Sequence, residues 1–287
     1  MFVYFVGIVS CLLSTLALAS DARSYVQMPV STSLAEFRVA QSQTIAPGQP
    51  RDVKTDNQTD SIKLTHYFDL LGTLGALQVT TPYTRLNRHS VTDTTASGMS
   101  DSSIVLGVGL YNMPALSREA FQKFDKNGFS AAGAVTFYGN TGTYDKTKAL
   151  NTGSNRSAQK VEIQTAWRSD ALLLEAIAGG TQYGRNAEYL TNNTLEQKTL
   201  YHAETHFSYN VSSKLWASLD TFFVNGGEAV LNNRSMNNSQ RSFSSGFVTG
   251  YMLANNQLVK LIYQNNVNSS KVSTRLQGLA LSYTYAF

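Results

Sequence analysis

The last ten residues of the chain alternate without a break. Leu279, Leu281, Tyr283, Tyr285 and Phe287 occupy one phase, and Gly278, Ala280, Ser282, Thr284 and Ala286 the other. Successive side chains of a strand point to opposite faces, so this segment is predicted to be a strand with one wholly apolar face and one small or polar face. In a water-soluble sandwich the apolar face would meet a second sheet. Here the aromatics gather at the strand end, which suits a membrane barrel: an apolar band toward lipid, an aromatic girdle at the interface and a polar face toward the bore. Tyr283, Tyr285 and Phe287 are therefore the candidate membrane-insertion signal, read by barrel-assembly machinery.

The same period of two runs back along the chain. Val259, Leu261 and Tyr263 face away from Lys260 and Gln264; Phe243, Phe247 and Tyr251 from Ser244, Gly246 and Gly250. Leu215, Ala217, Leu219 and Phe223 oppose Trp216, Ser218 and Asp220, and Tyr201, Phe207 and Tyr209 oppose His202, Glu204, His206 and Ser208. Leu174, Ile163, Val135, Leu106, Val79 and Leu64 mark further strands, with a weaker first one at Phe37 and Val39. The fold class expected is all-β: a transmembrane antiparallel barrel of about twelve strands in a single domain, the even number fitting both termini on the periplasmic side. Short connections at 71–75, 168–170, 211–213 and 255–256 alternate with long polar ones near 44–59, 90–100, 140–157, 184–197, 225–240 and 265–273. The stretch 113–128 breaks the rule, being long where a short turn is expected.

Composition removes the competing classes. A mean hydropathy of −0.19 is too low for a bundle of membrane helices, and beyond the first twenty residues no apolar run is long enough to span a bilayer as a helix. Residues 1–19 are apolar and end in Ala17-Leu18-Ala19, the small-x-small pattern of a cleaved export signal, although no Lys or Arg precedes the apolar stretch. Cys11 sits too early for a lipoprotein box, and it is the only cysteine, so the exported chain has neither disulfides nor thiol ligands. The net charge of +4 is dispersed among 19 acids with no basic run, which argues against nucleic acid as a partner. The organisation expected is an export signal at 1–19, an N-terminal segment at 20–34 that is a candidate plug, and the barrel at 35–287, in the bacterial outer membrane after passage through the periplasm.

With the apolar phase toward lipid, four consecutive strands put Glu162, Glu175, Glu204 and Asp220 inside. Arg38, Lys63 and Lys260 fall across the ring. Opposed acidic and basic walls would set a transverse field that selects solutes. The alternative is that these groups pair and simply fill a narrow bore, because buried charges need partners. His202, Glu204, His206 and Ser208 share a face of one strand, and three readings remain open for them. His206 with Ser208 could be the base and nucleophile of an acyl hydrolase, although such a pair must face lipid and this phase faces inward. A metal could not take both histidines, since residues i and i+4 of a strand lie about 13 Å apart. The third reading is a hydrogen-bonded row in the bore. Tyr67, Tyr111, Tyr138, Tyr183, Trp216 and Phe222 share the inward phase, and Tyr138 and Trp216 are the candidates for stacking on an aromatic solute.

Short stretches carry a resemblance. GNTGTYD at 139–145, LNTGSNR at 150–156, SDSSIVLGVGLYN at 100–112, KLWASLDTFFVNGGE at 214–228 and the pair Glu204 and His206 resemble the outer-membrane barrel family named for the meta-pathway of phenol degradation. Ser102 and Ser103 depart from it, standing where apolar residues are expected. The resemblance runs from about residue 60 to the end. It implies a channel for passive uptake of small organic molecules, often aromatic or apolar, with no catalytic residues, no metal and no cofactor; its partners are outer-membrane lipid and a small solute. An outer-membrane acyl hydrolase and a structural or adhesive barrel are the other classes kept in view.

Overall fold

The computed structural model describes residues 20–47 and 51–287. The export signal expected at 1–19 lies outside the described residues. Twelve long strands form one closed antiparallel ring: β1 (Ser33–Ala46), β2 (Val53–Leu70), β3 (Thr73–His89), β5 (Ser103–Tyr111), β6 (Gly128–Tyr138), β7 (Ala158–Ser169), β8 (Leu172–Tyr183), β11 (Leu200–Asn210), β12 (Leu215–Gly226), β15 (Gln240–Ala254), β16 (Gln257–Ser269) and β17 (Arg275–Ala286). The seam joins β1 to β17, from Leu34 opposite Ala286 to Ile45 opposite Arg275. Ser33 and Phe287 exchange both backbone bonds at 3.0 and 2.9 Å, so the ladder is closed to its last residue. Closure is what lipid demands, because no water is present there to satisfy a free strand edge.

The two faces confirm the orientation read from the alternation. On β7, Ile163 is 51% exposed while its neighbour Glu162 is 5% exposed. The exposed outer face carries Phe37, Ile62, Leu106, Phe137, Val161, Leu219 and Leu281, a continuous apolar surface far larger than a soluble monomer presents to water. Hydrocarbon is its solvent. At the end with the short turns, Phe129, Trp167, Tyr209, Tyr251, Tyr283, Tyr285 and Phe287 are all exposed and form a girdle, with Tyr285 and Phe287 stacked at 6.2 Å.

Several sequence expectations are corrected. The stretches 44–59 and 90–100 are mostly strand: β1 and β2 continue as a paired hairpin as far as Ala46 opposite Val53, and β4 (Thr94–Met99) pairs with the upper part of β3. Beyond the bilayer both faces of a hairpin meet water, so polar residues on both phases conceal a ladder that is fully paired. Cross-strand contacts such as Gln43 Nε2 to Asp56 Oδ1 at 2.8 Å and Arg85 to Asp60 at 3.0 Å support it there. Tyr111, expected inside, is 62% exposed, because the β5–β6 register shifts between Gly109 and Tyr111 and turns the ring out against Phe129, 6.0 Å away. The long stretch 113–128 holds the short helix α1 (Arg118–Lys123), capped by Ser117, whose side chain accepts a bond from Ala120 N. Its purpose at the short-turn end is visible in its partners. Val30 N donates to Leu116 O at 2.9 Å and Gln27 Nε2 to Pro114 O at 3.1 Å, so this loop grips the N-terminal segment.

The loops at the other end add a small second sheet of β9 (Asn186–Tyr189), β10 (Asn193–Gln197), β13 (Ala229–Leu231) and β14 (Arg234–Ser235). Tyr189, Leu195, Ala229 and Leu231 are buried between these strands. Glu228 takes Lys198 Nζ at 2.5 Å, and that ammonium, followed by the Ser235 hydroxyl, holds its carboxyl below the usual range.

An arginine on the lipid face tests this geometry. Leu281→Arg is expected to lower folding stability in phospholipid vesicles by about 2–4 kcal/mol, and Val267→Arg, toward the loop end of β16, by about 1 kcal/mol or less. Denaturant titration followed by tryptophan fluorescence reads both, and equal effects would contradict the assignment of the apolar band.

Candidate functional site: the barrel interior

Neighbouring strands β7, β8, β11 and β12 bring Glu162, Glu175, Glu204 and Asp220 inward, each at most 5% exposed. Lys160 Nζ lies 2.8 Å from Glu162 Oε2, and His202 Nε2 lies 3.0 Å from Glu162 Oε1. His206 Nδ1 lies 2.9 Å from Asp220 Oδ1, which also accepts the Ser218 hydroxyl at 2.5 Å, while His206 Nε2 faces Glu204 Oε2 at 3.6 Å. Ser208 is fully buried one alternation further on, and neither its hydroxyl nor His206 Nε2 has a hydrogen-bond partner among the described residues. The His206–Ser208 pair therefore lacks the nucleophile-to-base bond that acyl transfer requires, and it is turned away from lipid. A neighbouring strand supplies the ligand that the spacing along a single strand cannot. Ligand atoms of Glu162, His202 and Glu204 lie within 4.8 Å of one another. Lys160 already brings a positive charge to that trio.

The basic side is neutralised locally. Lys63 Nζ lies 3.0 Å from Glu36 Oε2, with Lys260 Nζ at 3.7 Å from the same oxygen. Arg38 Nη2 and Lys260 Nζ each lie 2.8 Å from an oxygen of Asp21. Asp21 belongs to residues 20–32, which run inside the ring. In this segment Arg23 N donates to Glu175 Oε2 at 2.9 Å, its guanidinium donates to Asn210 Oδ1 at 2.7 Å, and Tyr25 OH donates to Glu162 Oε2 at 3.1 Å. Ala22 is buried against Trp216, Val248, Ile262 and Ala280, and Tyr25, Met28 and Val30 pack on Tyr67, Leu74 and Met113. Two facing walls of opposite free charge therefore do not form; every charged candidate named from the sequence has a partner. An unpaired buried ion costs several kcal/mol, which is why the segment carries an acid to Arg38 and Lys260 and a backbone N–H to Glu175. Trp216, expected to offer a stacking surface, is instead covered by the Arg23 guanidinium at 4.4 Å from the ring centroid.

Beside the segment a cavity of ≈ 590 Å³ remains under β1 to β7. Ser20, Asp21 and Tyr25 border it on the segment's side, and Met236 and Asn238 of the loops also reach it. Its walls are rows of Thr, Ser and Asn, interrupted by the apolar groups Leu74, Val108 and Met113 and by Tyr67 and Tyr138. Of the interior candidates, Arg38, Lys63, Glu162 and Tyr138 border this space; Glu175, Glu204, His206, Asp220, Lys260 and Trp216 do not.

The sequence reading left out Asp21, Arg23, Glu36 and Lys160 as interior charges. Glu36 and Lys160 share a phase with Arg38 and Glu162, so parity alone could have found them. Asp21 and Arg23 belong to no strand, and no periodic signal points to them. It also left out the buried Asp101 at the rim. Asp101 Oδ1 accepts Gly142 N at 2.9 Å, and Oδ2 accepts Ser154 N at 2.9 Å and the Ser154 hydroxyl at 2.5 Å. Three of the recognised stretches, 100–112, 139–145 and 150–156, thus meet at one carboxylate. A Cβ on Gly153 would stand 2.5 Å from the Gly142 backbone, so both glycines are required by the close approach.

A sequence profile of the family described as "Putative MetA-pathway of phenol degradation" matches residues 36–285. Among curated proteins none matches in sequence. Among solved structures, the COG4313 outer membrane channel from Pseudomonas putida F1 superposes with a TM-score of 0.81 at 16% identity, covering 94% of this chain and 100% of that one. The translocator domain of the autotransporter NalP from Neisseria meningitidis gives 0.57 at 11% identity, covering 95% and 94%. At such identities the likeness is one of fold.

Removing the rim carboxylate is expected to loosen the loop it holds. Asp101→Ala leaves the half-buried amides at Gly142 and Ser154 without an acceptor, at a cost of about 1–3 kcal/mol. Both Asp101→Ala and Gly153→Ala are expected to speed limited proteolysis within 140–157 while leaving cleavage within 184–197 unchanged. Equal protection of the first loop in wild type and variants would refute the clasp.

Proposed function

Because the chain belongs to the phenol-degradation meta-pathway family, we propose that it is an outer-membrane channel for passive entry of small organic molecules, aromatic and apolar ones foremost, with residues 20–32 as its stopper. The observation that carries the reading is the cavity of ≈ 590 Å³ inside a sealed, lipid-facing ring. That volume is in the range of small-molecule sites and far below a folded protein. The mixed lining suits such cargo: hydroxyls and amides keep the chamber wet, while Leu74, Met113, Tyr67 and Tyr138 offer apolar and aromatic contact. Arg38, Lys63 and Glu162 border the same space and act on a charged substituent of the solute. Glu175, Glu204 and Lys260 act one step back, by holding the stopper, and His206 and Asp220 pair with each other beside them. The solved structure it resembles is described as an outer membrane channel. Barrel-assembly machinery is the partner for insertion, with Tyr283, Tyr285 and Phe287 as the signal.

Two measurements test this. Cells lacking the chain are expected to grow more slowly than complemented cells on limiting aromatic carbon sources, with no difference on sugars; equal growth on every source contradicts the cargo. Proteoliposomes holding a variant that lacks 20–32 are expected to swell several-fold faster in small solutes than those holding wild type. Equal rates would remove the stopper from the scheme.

A further inference from the structure

Ser20 lies in the acidic cluster. Ser20 N lies 3.0 Å from Glu204 Oε2, and the Ser20 hydroxyl lies 3.5 Å from Glu162 Oε1. As a peptide nitrogen Ser20 N is neutral and has one hydrogen to donate. Cleavage after Ala19, where the small-x-small pattern puts it, changes that atom into a primary ammonium with unit charge and three hydrogens.

The positive groups near the four carboxylates here are Lys160, Arg23, Arg168, His202 and His206. Glu162, Glu175, Glu204 and Asp220 line adjacent strands. Facing them, Lys160 is committed to Glu162 at 2.8 Å. The Arg23 guanidinium is turned to Asn210 and Trp216, leaving only its backbone N–H on Glu175. His202 is placed on Glu162 and His206 on Asp220. Glu204 is 3% exposed, with Ser20 N at 3.0 Å and His206 Nε2 at 3.6 Å from its Oε2. A buried carboxylate in that position requires a cation, and charge-assisted bonds of this kind are the strong ones.

We propose that the Glu162–His202–Glu204 cluster is a receptor for the chain's own α-ammonium: removing the export signal creates at Ser20 the counter-ion of Glu204, and that ion pair seats residues 20–32 in the barrel. The proposal rests on cleavage after Ala19 and is independent of what the channel carries. It gives the trio a ligand in place of a divalent cation, since a bound ammonium hydrogen-bonds Glu204 while Lys160 keeps Glu162. It also couples export to closure. Before cleavage, Ser20 N brings no charge to the cluster, and the segment is held only by its other contacts, such as Asp21 to Arg38 and Lys260.

The test uses the full mature protein purified in detergent. Intact mass is expected to show a chain beginning at Ser20. An aldehyde reagent selective for α-amines, followed by mass, then reads how accessible that amine is. Wild type is compared with Glu204→Gln and with a variant carrying Gly-Ser-Gly between Ala19 and Ser20, which moves the amine off the cluster without altering any barrel residue. Wild type is expected to react roughly tenfold more slowly than either, the factor typical of one buried charge-assisted bond, and the difference is expected to vanish in denaturant. Both variants are checked for the heat-modifiable gel mobility of a folded barrel; should Glu204→Gln not fold, the insertion decides alone. A mature chain beginning elsewhere, or a wild-type amine that reacts as fast as the inserted one, overturns the proposal. A protected amine in a protein that admits no solute would leave this inference standing and sink the channel reading instead.

Discussion

Everything in this molecule follows from the backbone hydrogen bond in hydrocarbon. A peptide group in lipid has no water to turn to, so a spanning sheet must have no edge. The β1–β17 ladder meets that demand, with the bond pair between Ser33 and Phe287 closing it at the short-turn end. Once the ring is closed, alternation has only one solution. Apolar side chains go outward into lipid, and their neighbours are confined to a bore where polarity is tolerated only if it is satisfied.

That second demand explains the inside. Carboxylates on four adjacent strands and cations on β1, β2 and β16 are too far apart to serve one another directly. Residues 20–32 act as the mediator, carrying Asp21 to Arg38 and Lys260 and the Arg23 amide to Glu175. A chain segment without secondary structure can do this because the strands, the loop 113–128 and the interior side chains meet its polar groups. The cost of ordering it is offset by the burial of Ala22 and the packing of Tyr25, Met28 and Val30.

The ring was legible in the sequence because lipid and bore impose opposite polarity on successive residues, and Leu279 to Phe287 record that rule almost without error. Interior placement of Glu162, Glu204, His206 and Asp220 followed from parity alone. Legibility ended where the two solvents stop differing. In the upper β1–β2 hairpin both faces meet water, so Gln43 and Asp56 read as loop although they pair as strand. A bulge reverses parity, which is how Tyr111 moved from the bore to the girdle. Asp21 and Arg23 lie outside any period, and their partners are separated from them by up to 239 positions along the chain, as for Lys260. Parity also says nothing of depth or of pairing, so it left open whether these charges stand as facing walls or pair locally, and in the molecule they pair locally.

The interior is lopsided, and the two halves are open to change in different degrees. Under β8, β11, β12 and β16, the inward charges Glu175, His206, Asp220 and Lys260 each answer to a specific neighbour, so a substitution there strands a charge or opens a hole beside Trp216. Under β1 to β6, short hydroxyl and amide groups border open space and bond across the strands in neutral pairs, as Thr59 does with Thr84 at 3.1 Å and Asn57 with Ser42 at 3.2 Å, so that their loss strands no charge. A lineage could therefore rewrite the chamber wall, residue by residue, to admit a new solute without endangering the fold. The crowded half supplies the constancy that lets the hollow half diversify.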